Sequence, residues 1–262
     1  MDYLLVAAVA LCVSGLTMYS GFGLGTLLMP VFALFFPIEV AVAATAIVHG
    51  ANNVLKVSLL GRDADKSLVL RFGIPAILAA IVGASALGWV AHFDEIARWQ
   101  LGGRTAVVTP IKLVMGLLMF VFAMFELAPG LRDLKFDRKY LTLGGTLSGF
   151  FGGFSGHQGA LRSAFLVKTG VSTEAFVGTS AVIGFMVDAM RIATYAVGYL
   201  VVGGTSPIGP EQWPLIITGC VAAFAGVVVG KRLLHKVTMG AVQKLTGTLL
   251  LLIAIGLASG LI

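Results

Sequence analysis

Charged side chains are scarce in this sequence. Only 11% of the 262 residues are Asp, Glu, Lys or Arg, whereas soluble globular chains carry about 25%. Because 58% of the residues are hydrophobic, the chain has too few polar groups to cover a water-facing surface. Eight prolines are too few for a disordered linker protein, and the 34 glycines follow no triplet repeat, which excludes collagen. The composition predicts an all-α integral membrane protein with almost no extramembrane domain.

Cysteine is also scarce, and this excludes several kinds of site. Cys12 and Cys220 both lie in apolar runs, so neither a disulfide framework nor a cysteine metal site is expected. Gly21-x-Gly23-x-Gly25 lacks the spacing and the βαβ context of a dinucleotide-binding loop. The net charge of +6 is read as a membrane-orientation signal and not as a nucleic-acid signal. We therefore expect the lipid bilayer as a partner, and no cofactor, metal ion or nucleic acid.

Eight apolar runs bounded by charges or turn residues follow one another along the chain. They fall at 3–36, 38–60, 68–91, 106–128, 140–169, 172–200, 212–234 and 241–262. Six of them have the length of an ordinary tilted membrane helix. The first and fifth are longer and carry glycine clusters at 21–25 and 149–159. Each of these two either crosses the membrane once as a long kinked helix or enters and returns as a re-entrant hairpin.

The distribution of basic residues favours the hairpins. Arg162 and Arg191 lie inside apolar runs and are set aside. The other sixteen Lys and Arg residues are used to compare the two sides of the membrane. Single crossings would place eight on each side of the membrane. Hairpins place thirteen on one side and three on the other, which is the asymmetry that the positive-inside rule predicts. This topology puts both termini outside the cytoplasm and loops 61–67, 129–139 and 231–240 inside it.

The hairpin topology also predicts an inverted repeat. Each half contains one hairpin and three full spans, an odd number, so the halves have opposite orientations, as in many secondary transporters. We divide the single membrane domain into an N-terminal repeat (1–128), a cytoplasmic linker (129–139) and a C-terminal repeat (140–262). A shift of 134 residues aligns Ser14-Gly15 with Ser148-Gly149, Gly25 with Gly159, Thr45 with Thr179 and Gly50 with Gly184. The glycine-rich break and the following threonine thus fall in register. Between the third and fourth runs, residues 93–101 predict an interfacial segment anchored by Trp99.

The second break contains the polar, glycine-rich segment 155–162, SGHQGALR. Its backbone and side chains offer several groups that could bind an anion. A half-helix that begins here would present free backbone N–H groups and the positive end of its dipole toward mid-membrane. Arg162 would add a charged fork suited to an oxyanion. The predicted substrate-binding residues at the two breaks are Gly23, Gly25, Thr26, Ser155, Gly156, His157, Gln158, Gly159 and Arg162. The alternative for the glycines is close helix packing, since Gly149/Gly153 and Gly152/Gly156 are GxxxG pairs.

Two further polar stripes lie on the second and sixth of the eight runs, 38–60 and 172–200. Polar side chains are expensive in lipid and must face protein or water. We assign a pathway or gating role to His49, Asn52, Asn53, Asp188 and Arg191. The alternatives are a hydrogen-bonded seam between helices and mutual neutralisation of Asp188 and Arg191, which are three residues apart. Lys56, on the same face as His49, is expected to extend its ammonium group toward the cytoplasm. Contact with the substrate is the less favoured alternative.

An enzyme motif is also present. Gly153-Phe154-Ser155-Gly156 matches the GxSG of rhomboid-type intramembrane proteases. Such a protease needs a base histidine on a later membrane helix. His157 is too near in sequence and His235 lies at a span end, so proteolysis is the less favoured alternative.

The sequence resembles the TauE/SafE family of sulfite and organosulfonate exporters. The most specific part of this resemblance is in the runs SGHQGALRSAFLVKTGVSTEAFVGTS (155–180) and VDAMRIATY (187–195). The resemblance covers nearly the whole chain, including ATA at 44–46 and GTS at 178–180. The first half departs from the family pattern, because GFGLGTLLMP stands where glycine doublets or triplets are usual, so substrate inference depends on the second half. The resemblance implies a secondary transporter that exports sulfite, sulfoacetate or a related small anion across the bacterial inner membrane by alternating access. An uptake carrier and an anion channel remain alternatives, and a proton as coupling ion and a homodimer are compatible with the sequence.

Overall fold

The structure is a computed structural model that describes residues 2–20, 24–132, 134–202, 208–233 and 239–262. The predicted site residue Gly23 lies outside the described residues. The helices are α1 (Asp2–Ser20), α2 (Leu24–Ala33), α3 (Ile38–Leu60), α4 (Lys66–Leu68), α5 (Ile74–Ala91), α6 (Pro110–Leu127), α7 (Pro129–Arg132), α8 (Leu141–Ser155), α9 (Gly159–Leu166), α10 (Thr173–Val202), α11 (Trp213–Leu233) and α12 (Met239–Ala258). A π-helical turn, Val69–Gly73, joins α4 to α5 without interruption. Two strands, β1 (Ala97–Leu101) and β2 (Arg104–Val108), precede α6.

Five described helical segments are long and apolar enough to cross a membrane. They are Ile38–Asp63, Lys66–Ala91, Pro110–Leu127, Thr173–Val201 and Trp213–Gly230. A helix satisfies every backbone polar group within its own segment, which the hydrocarbon core of a bilayer requires. Each of the eight predicted apolar runs contains at least one helix, and the last run, 241–262, corresponds to α12. The prediction of an all-α integral membrane protein is therefore confirmed.

The two long glycine-rich runs are interrupted where their glycines cluster. Helix α8 ends at Ser155, and Gly156 adopts φ +83°, a left-handed conformation that glycine reaches without steric cost. Helix α9 then begins at Gly159, within the segment 155–162 where a half-helix was predicted to start. In the first half, α1 ends at Ser20 and α2 begins at Leu24. Gly25 was expected in the break itself, but it lies in the first turn of α2.

Both interrupted segments fold back on themselves. The backbone N–H of Phe136, before α8, donates to the carbonyl oxygen of Ala164 on α9 at 3.0 Å, and the Phe136 and Phe165 rings stack with centroids 4.3 Å apart. In the first half, Val6 near the start of α1 and Phe32 near the end of α2 both lie within 4 Å of the same point, the Cβ position of Gly219. Each segment thus returns to the level at which it began, as a hairpin does and a single long crossing does not.

The hairpins pack tightly against helices of the other half. Helix α8 packs on α5, and α1 packs on α11. A Cβ built on Gly149 would lie 2.0 Å from the carbonyl oxygen of Ala76, and one built on Gly226 would lie 2.2 Å from that of Leu11. Only glycine permits such an approach, so small residues bring these backbones together. A Cβ built on Gly153 would likewise lie 2.1 Å from the carbonyl oxygen of Ala80 on α5. The close-packing interpretation is therefore correct for Gly149 and Gly153.

A β-hairpin includes much of the segment that was expected to lie at the membrane interface. Strands β1 and β2 pair antiparallel with Leu101 opposite Arg104, around a two-glycine turn with positive φ at both positions. The prediction that the fourth membrane run starts at 106 is wrong, because 106–108 belong to β2 and α6 begins only at Pro110. Trp99 anchors the hairpin to protein, since its indole N–H donates to the Ser259 carbonyl oxygen at 2.9 Å.

Candidate functional site

The two predicted breaks meet inside the protein. A Cβ built on Gly25 would lie 3.1 Å from the carbonyl oxygen of Gly156 and 3.7 Å from the His49 ring. Gly25 belongs to the first hairpin and Gly156 to the second, and both are buried. Gly25 has no side chain, and this lets the two backbones come into contact. The sequence prediction that the two bends come together is confirmed for these two glycines.

The Asp188 carboxylate is the centre of the polar network beside the bends. Asp188 is fully buried on α10. Its Oδ2 accepts hydrogen bonds from His49 Nδ1 at 2.7 Å and Asn53 Nδ2 at 3.0 Å. Its Oδ1 accepts from Gln158 Nε2 at 3.0 Å and forms an ion pair with Arg191 at 2.9 Å. The carboxylate therefore joins α3 of the first half to α9 and α10 of the second.

Neutralisation of Asp188 by Arg191 is therefore real, but it is only part of the network. Arg191 NH1 also donates to the carbonyl oxygen of Gly152 at 3.1 Å, near the end of α8. The Tyr195 hydroxyl, one turn further along α10, donates to the next carbonyl, that of Gly153. Helix α10 thus holds the end of α8 in place through two side chains. The sequence reasoning did not single out Tyr195, although a tyrosine one turn after a buried Asp and Arg continues the same face.

Arg162 and Gln158 lie at the start of α9. Arg162 is 1% exposed, and its NH1 donates to Gln158 Oε1 at 3.0 Å. The side chain of Gln158 thus links Arg162 to Asp188, and it makes no hydrogen bond that would cap α9. The N–H groups of the first helical turn, 159–161, therefore receive no cap from Gln158. The Gly156 N–H, in contrast, donates to the Gly152 carbonyl oxygen at 3.1 Å and completes α8.

His157 and Ser155 complete the second bend. Nδ1 of His157 lies 3.1 Å from Ser155 Oγ, and the ring stacks on Phe122 with centroids 5.0 Å apart. His157 Nε2 is buried without a hydrogen-bond partner among the described residues. Ser155 Oγ donates to the Phe151 carbonyl oxygen at 3.0 Å, so its proton stabilises the helix end and the serine is not poised as a nucleophile. His157 thus contacts Ser155 although the two residues are only two positions apart in the sequence. The Ser155 hydroxyl proton is nevertheless already used in the hydrogen bond to Phe151.

A second polar cluster joins α1 to α3. Lys56 Nζ donates to Thr17 Oγ1 at 2.5 Å. Ser14 Oγ lies 2.7 Å from both Asn52 Oδ1 and the carbonyl oxygen of Ala223 on α11, which share its single proton. Lys56 is 5% exposed, so the expectation that it extends to the cytoplasm is wrong. The hydroxyl of Thr17 gives the ammonium group a partner inside the protein. Ser14 and Thr17 were not predicted as site residues, although Ser14 was part of the repeat alignment and the pair is three residues apart on one helical face.

The buried charges of this region are predominantly positive. Among the described residues of the two hairpins, α3 and α10, the buried cationic side chains are Lys56, Arg162 and Arg191, and Asp188 is the only buried carboxylate. Removing charges from water costs several kcal/mol for each ion unless they are paired. A buried excess of positive charge is therefore a suitable environment for an anion. Of the other predicted residues, Thr26 is buried on α2 and Gly159 opens α9.

A cavity of about 760 Å³ flanks the second hairpin. It lies between α6, α9 and the 129–139 linker, and its walls are mainly apolar. Ala160 and Leu161 of α9, Lys135 of the linker, and Phe122 and Glu126 of α6 are among its lining residues. Phe122 also stacks on His157, so this aromatic ring stands between the cavity and the bend. Within the described part of the chain, no group of three His, Cys, Asp or Glu side chains is placed to hold a metal ion.

Comparison with known proteins agrees with this geometry. The family model described as sulfite exporter TauE/SafE matches residues 3–257. The match covers nearly all of the chain, including both hairpins and the polar network. No curated protein is found to match. Members of this family are membrane transporters and not enzymes, which agrees with the occupied Ser155 hydroxyl. The helical membrane fold and the family match together show that the chain belongs to the TauE/SafE sulfite exporter family.

Proposed function

We propose that the protein is a secondary transporter that exports a small sulfur oxyanion, such as sulfite, sulfoacetate or a related organosulfonate, across the bacterial cytoplasmic membrane. The observation that carries this proposal is the contact between the two bends beside a buried region with excess positive charge. A site of this kind, near the middle of the membrane and formed by interrupted helices, is typical of secondary transporters. The family match supplies the substrate class and the outward direction.

The anion would be held at the N-terminus of α9. The N–H groups of 159–161, which receive no cap from the Gln158 side chain, and the guanidinium group of Arg162 are donors near this point. The dipole of a half-helix adds about half a positive charge at its N-terminus. Asp188 would not touch the anion. It would hold His49, Gln158 and Arg191 in fixed orientations, so that the donors need little rearrangement when the anion arrives.

Alternating access would follow from an inverted repeat. We assign 1–128 to the N-terminal repeat, 129–139 to a cytoplasmic linker and 140–262 to the C-terminal repeat. The helix pairing supports this division: α1 packs on α11 as α8 packs on α5, while α3 packs on α10 and α6 on α12. Exchanging corresponding helices of the two halves leaves this set of pairs unchanged, as a pseudo-twofold axis requires.

The cavity beside α9 would serve as the cytoplasmic vestibule, because it is lined by the linker that the positive-inside rule places in the cytoplasm. Phe122 would close the vestibule from the bend in the present conformation. Rocking of the hairpins against the other helices would open the bend to each side in turn. That a proton is the coupling ion for transport stays a prediction, and so does the assembly of the protein as a homodimer.

Efflux from proteoliposomes tests the proposal. Vesicles containing the purified protein are loaded with labelled sulfite or sulfoacetate, and release is compared with that from protein-free vesicles. We expect faster release, and faster exchange when unlabelled anion is present on the other side, because a carrier shows counterflow and a channel does not. Equal release from vesicles with and without protein, for every sulfur oxyanion tried, would contradict the proposal.

A further inference from the structure

The four polar side chains between α1 and α3, Ser14, Thr17, Asn52 and Lys56, are here named the α1–α3 cluster. All four are at most 5% exposed. Asn52 and Lys56 are four residues apart on α3, so they lie on one helical face. Ser14 and Thr17 are three residues apart on the facing side of α1 and contact them. The cluster is separate from the Asp188 network, which uses His49 and Asn53 on the neighbouring face of α3.

The α1–α3 cluster has more donors than acceptors. Lys56 has three ammonium protons, and the structure gives it one hydrogen-bond partner, the neutral Thr17 hydroxyl. Among the described residues no carboxylate lies within ion-pairing distance of Lys56. The amide nitrogen of Asn52 is buried and has no partner in the described structure. A buried donor left unpaired costs free energy, so a buried amide N–H and a buried cation side by side indicate that an anionic group completes this cluster.

The cluster lies next to the bend. Lys56 follows Asn53 by three residues, which places its backbone about 4.5 Å further along the axis of α3. Asn53 in turn is beside Arg162: the Cβ position of Gly184 lies 2.7 Å from Asn53 Nδ2 and 3.2 Å from Arg162 NH1. One small molecule could therefore reach both cations.

We propose that the α1–α3 cluster is a second anionic subsite, in which Lys56 and Asn52 bind the second charged group of a substrate whose sulfonate or sulfite group lies at the α9 bend. This inference rests on the proposed function, and it adds a selectivity rule to it. A ligand with two anionic groups separated by one or two carbons satisfies both subsites. A ligand of the same size with one anionic group leaves Lys56 without a counterion.

Matched ligands test the rule. Sulfoacetate carries a sulfonate and a carboxylate, whereas its amide, carbamoylmethanesulfonate, has nearly the same shape and a single charge. We measure equilibrium binding of both to the purified full chain. Because a charge-assisted hydrogen bond is lost with the amide, we expect sulfoacetate to bind roughly tenfold to a hundredfold more tightly.

The variant Lys56→Met keeps the length of the side chain and removes its charge. It should bind sulfoacetate about as weakly as the amide and leave binding of the amide unchanged. Lys66→Met, at an exposed lysine beyond the end of α3, is the control and should change neither affinity. If Lys56→Met does not fold, Asn52→Asp provides an independent test. It is nearly isosteric, places a carboxylate one turn before Lys56, and should weaken sulfoacetate binding about tenfold by competing for the ammonium group.

Three results would overturn the inference while leaving the proposed function intact. They are equal affinity of the wild-type protein for sulfoacetate and its amide, an equal loss for both ligands in Lys56→Met, and two sulfoacetate molecules bound per chain. An equal loss of affinity for both ligands would mean that Lys56 supports the helix packing or the overall positive electrostatic potential of the site. Absence of binding of any sulfur oxyanion to the wild-type protein would instead refute the proposed function itself.

Discussion

Replacing Asp188 with Asn should destabilise the protein strongly. Asp188 accepts hydrogen bonds from four side chains and is the counterion of Arg191. Asparagine keeps one acceptor oxygen, but its NH₂ group would face donors such as Asn53 Nδ2. Removing one partner of a buried ion pair costs about 3–5 kcal/mol, because the other charge remains buried. For a chain of this size such a loss lowers the unfolding midpoint by roughly 10 °C.

The assay is thermal unfolding of the purified protein in detergent, at one heating rate for all variants. The control is Asp137→Asn, which removes an exposed ion pair: Asp137 Oδ1 lies 3.5 Å from Lys168 Nζ, and the two side chains are 63% and 48% exposed. A surface pair contributes about 0–1 kcal/mol, so the control should shift the midpoint by little. If Asp188→Asn unfolds at the same temperature as Asp137→Asn, then Asp188 does not hold the buried network together and the reasoning fails.

Two further predictions concern packing and topology. Gly149→Ala should lower the unfolding midpoint markedly, since the added methyl would lie 2.0 Å from the Ala76 carbonyl oxygen, whereas Gly88→Ala has open space within 4 Å and should be neutral or stabilising; equal midpoints would disprove the close contact of α8 with α5. In an otherwise cysteine-free protein, an impermeant thiol reagent should label Gln100→Cys in intact cells but Asp63→Cys only after permeabilisation. The reverse pattern would refute the predicted orientation.

The sequence predicted the hairpins well because glycine acts locally. The density of glycines from 149 to 159 indicated a break, and the structure ends α8 one residue before Gly156. The start of a half-helix within the segment 155–162 was also predicted, and a helix N-terminus there leaves free donors. These are consequences of backbone conformation within a few residues, and no knowledge of distant contacts is needed for them.

The contacts across the halves could not be predicted in detail. His49 and Asp188 are 139 residues apart and lie 2.7 Å from one another, which depends on how α3 and α10 are rotated and how they cross. The polar stripe on α3 showed that this face avoids lipid, but not which residue it meets. Lys56 was misplaced for the same reason: its burial depends on Thr17 of α1, and a sequence does not reveal that neighbour.

The β-hairpin was missed because the apolar residues of β2 were read as the start of a membrane helix. Val107 and Val108 continue directly toward the apolar α6, and only Thr109-Pro110 separates them. The Gly102-Gly103 pair was the available signal, since both residues adopt positive φ in a tight turn. Pairing of Val107 N–H with the Gly260 carbonyl oxygen at 3.0 Å then fixes the hairpin against the C-terminal end.

Equilibrium binding of labelled sulfite or sulfoacetate to Arg162→Ala tests the central claim, that an anion is bound at the α9 bend, most directly. The alanine variant removes a full charge, and loss of a charge-assisted hydrogen bond of about 1.5–3 kcal/mol predicts roughly tenfold to hundredfold weaker binding. Arg162→Lys keeps the charge without the planar fork and should bind with intermediate affinity. Normal folding of Arg162→Ala with unchanged affinity would show that Arg162 is a packing residue and would contradict the account.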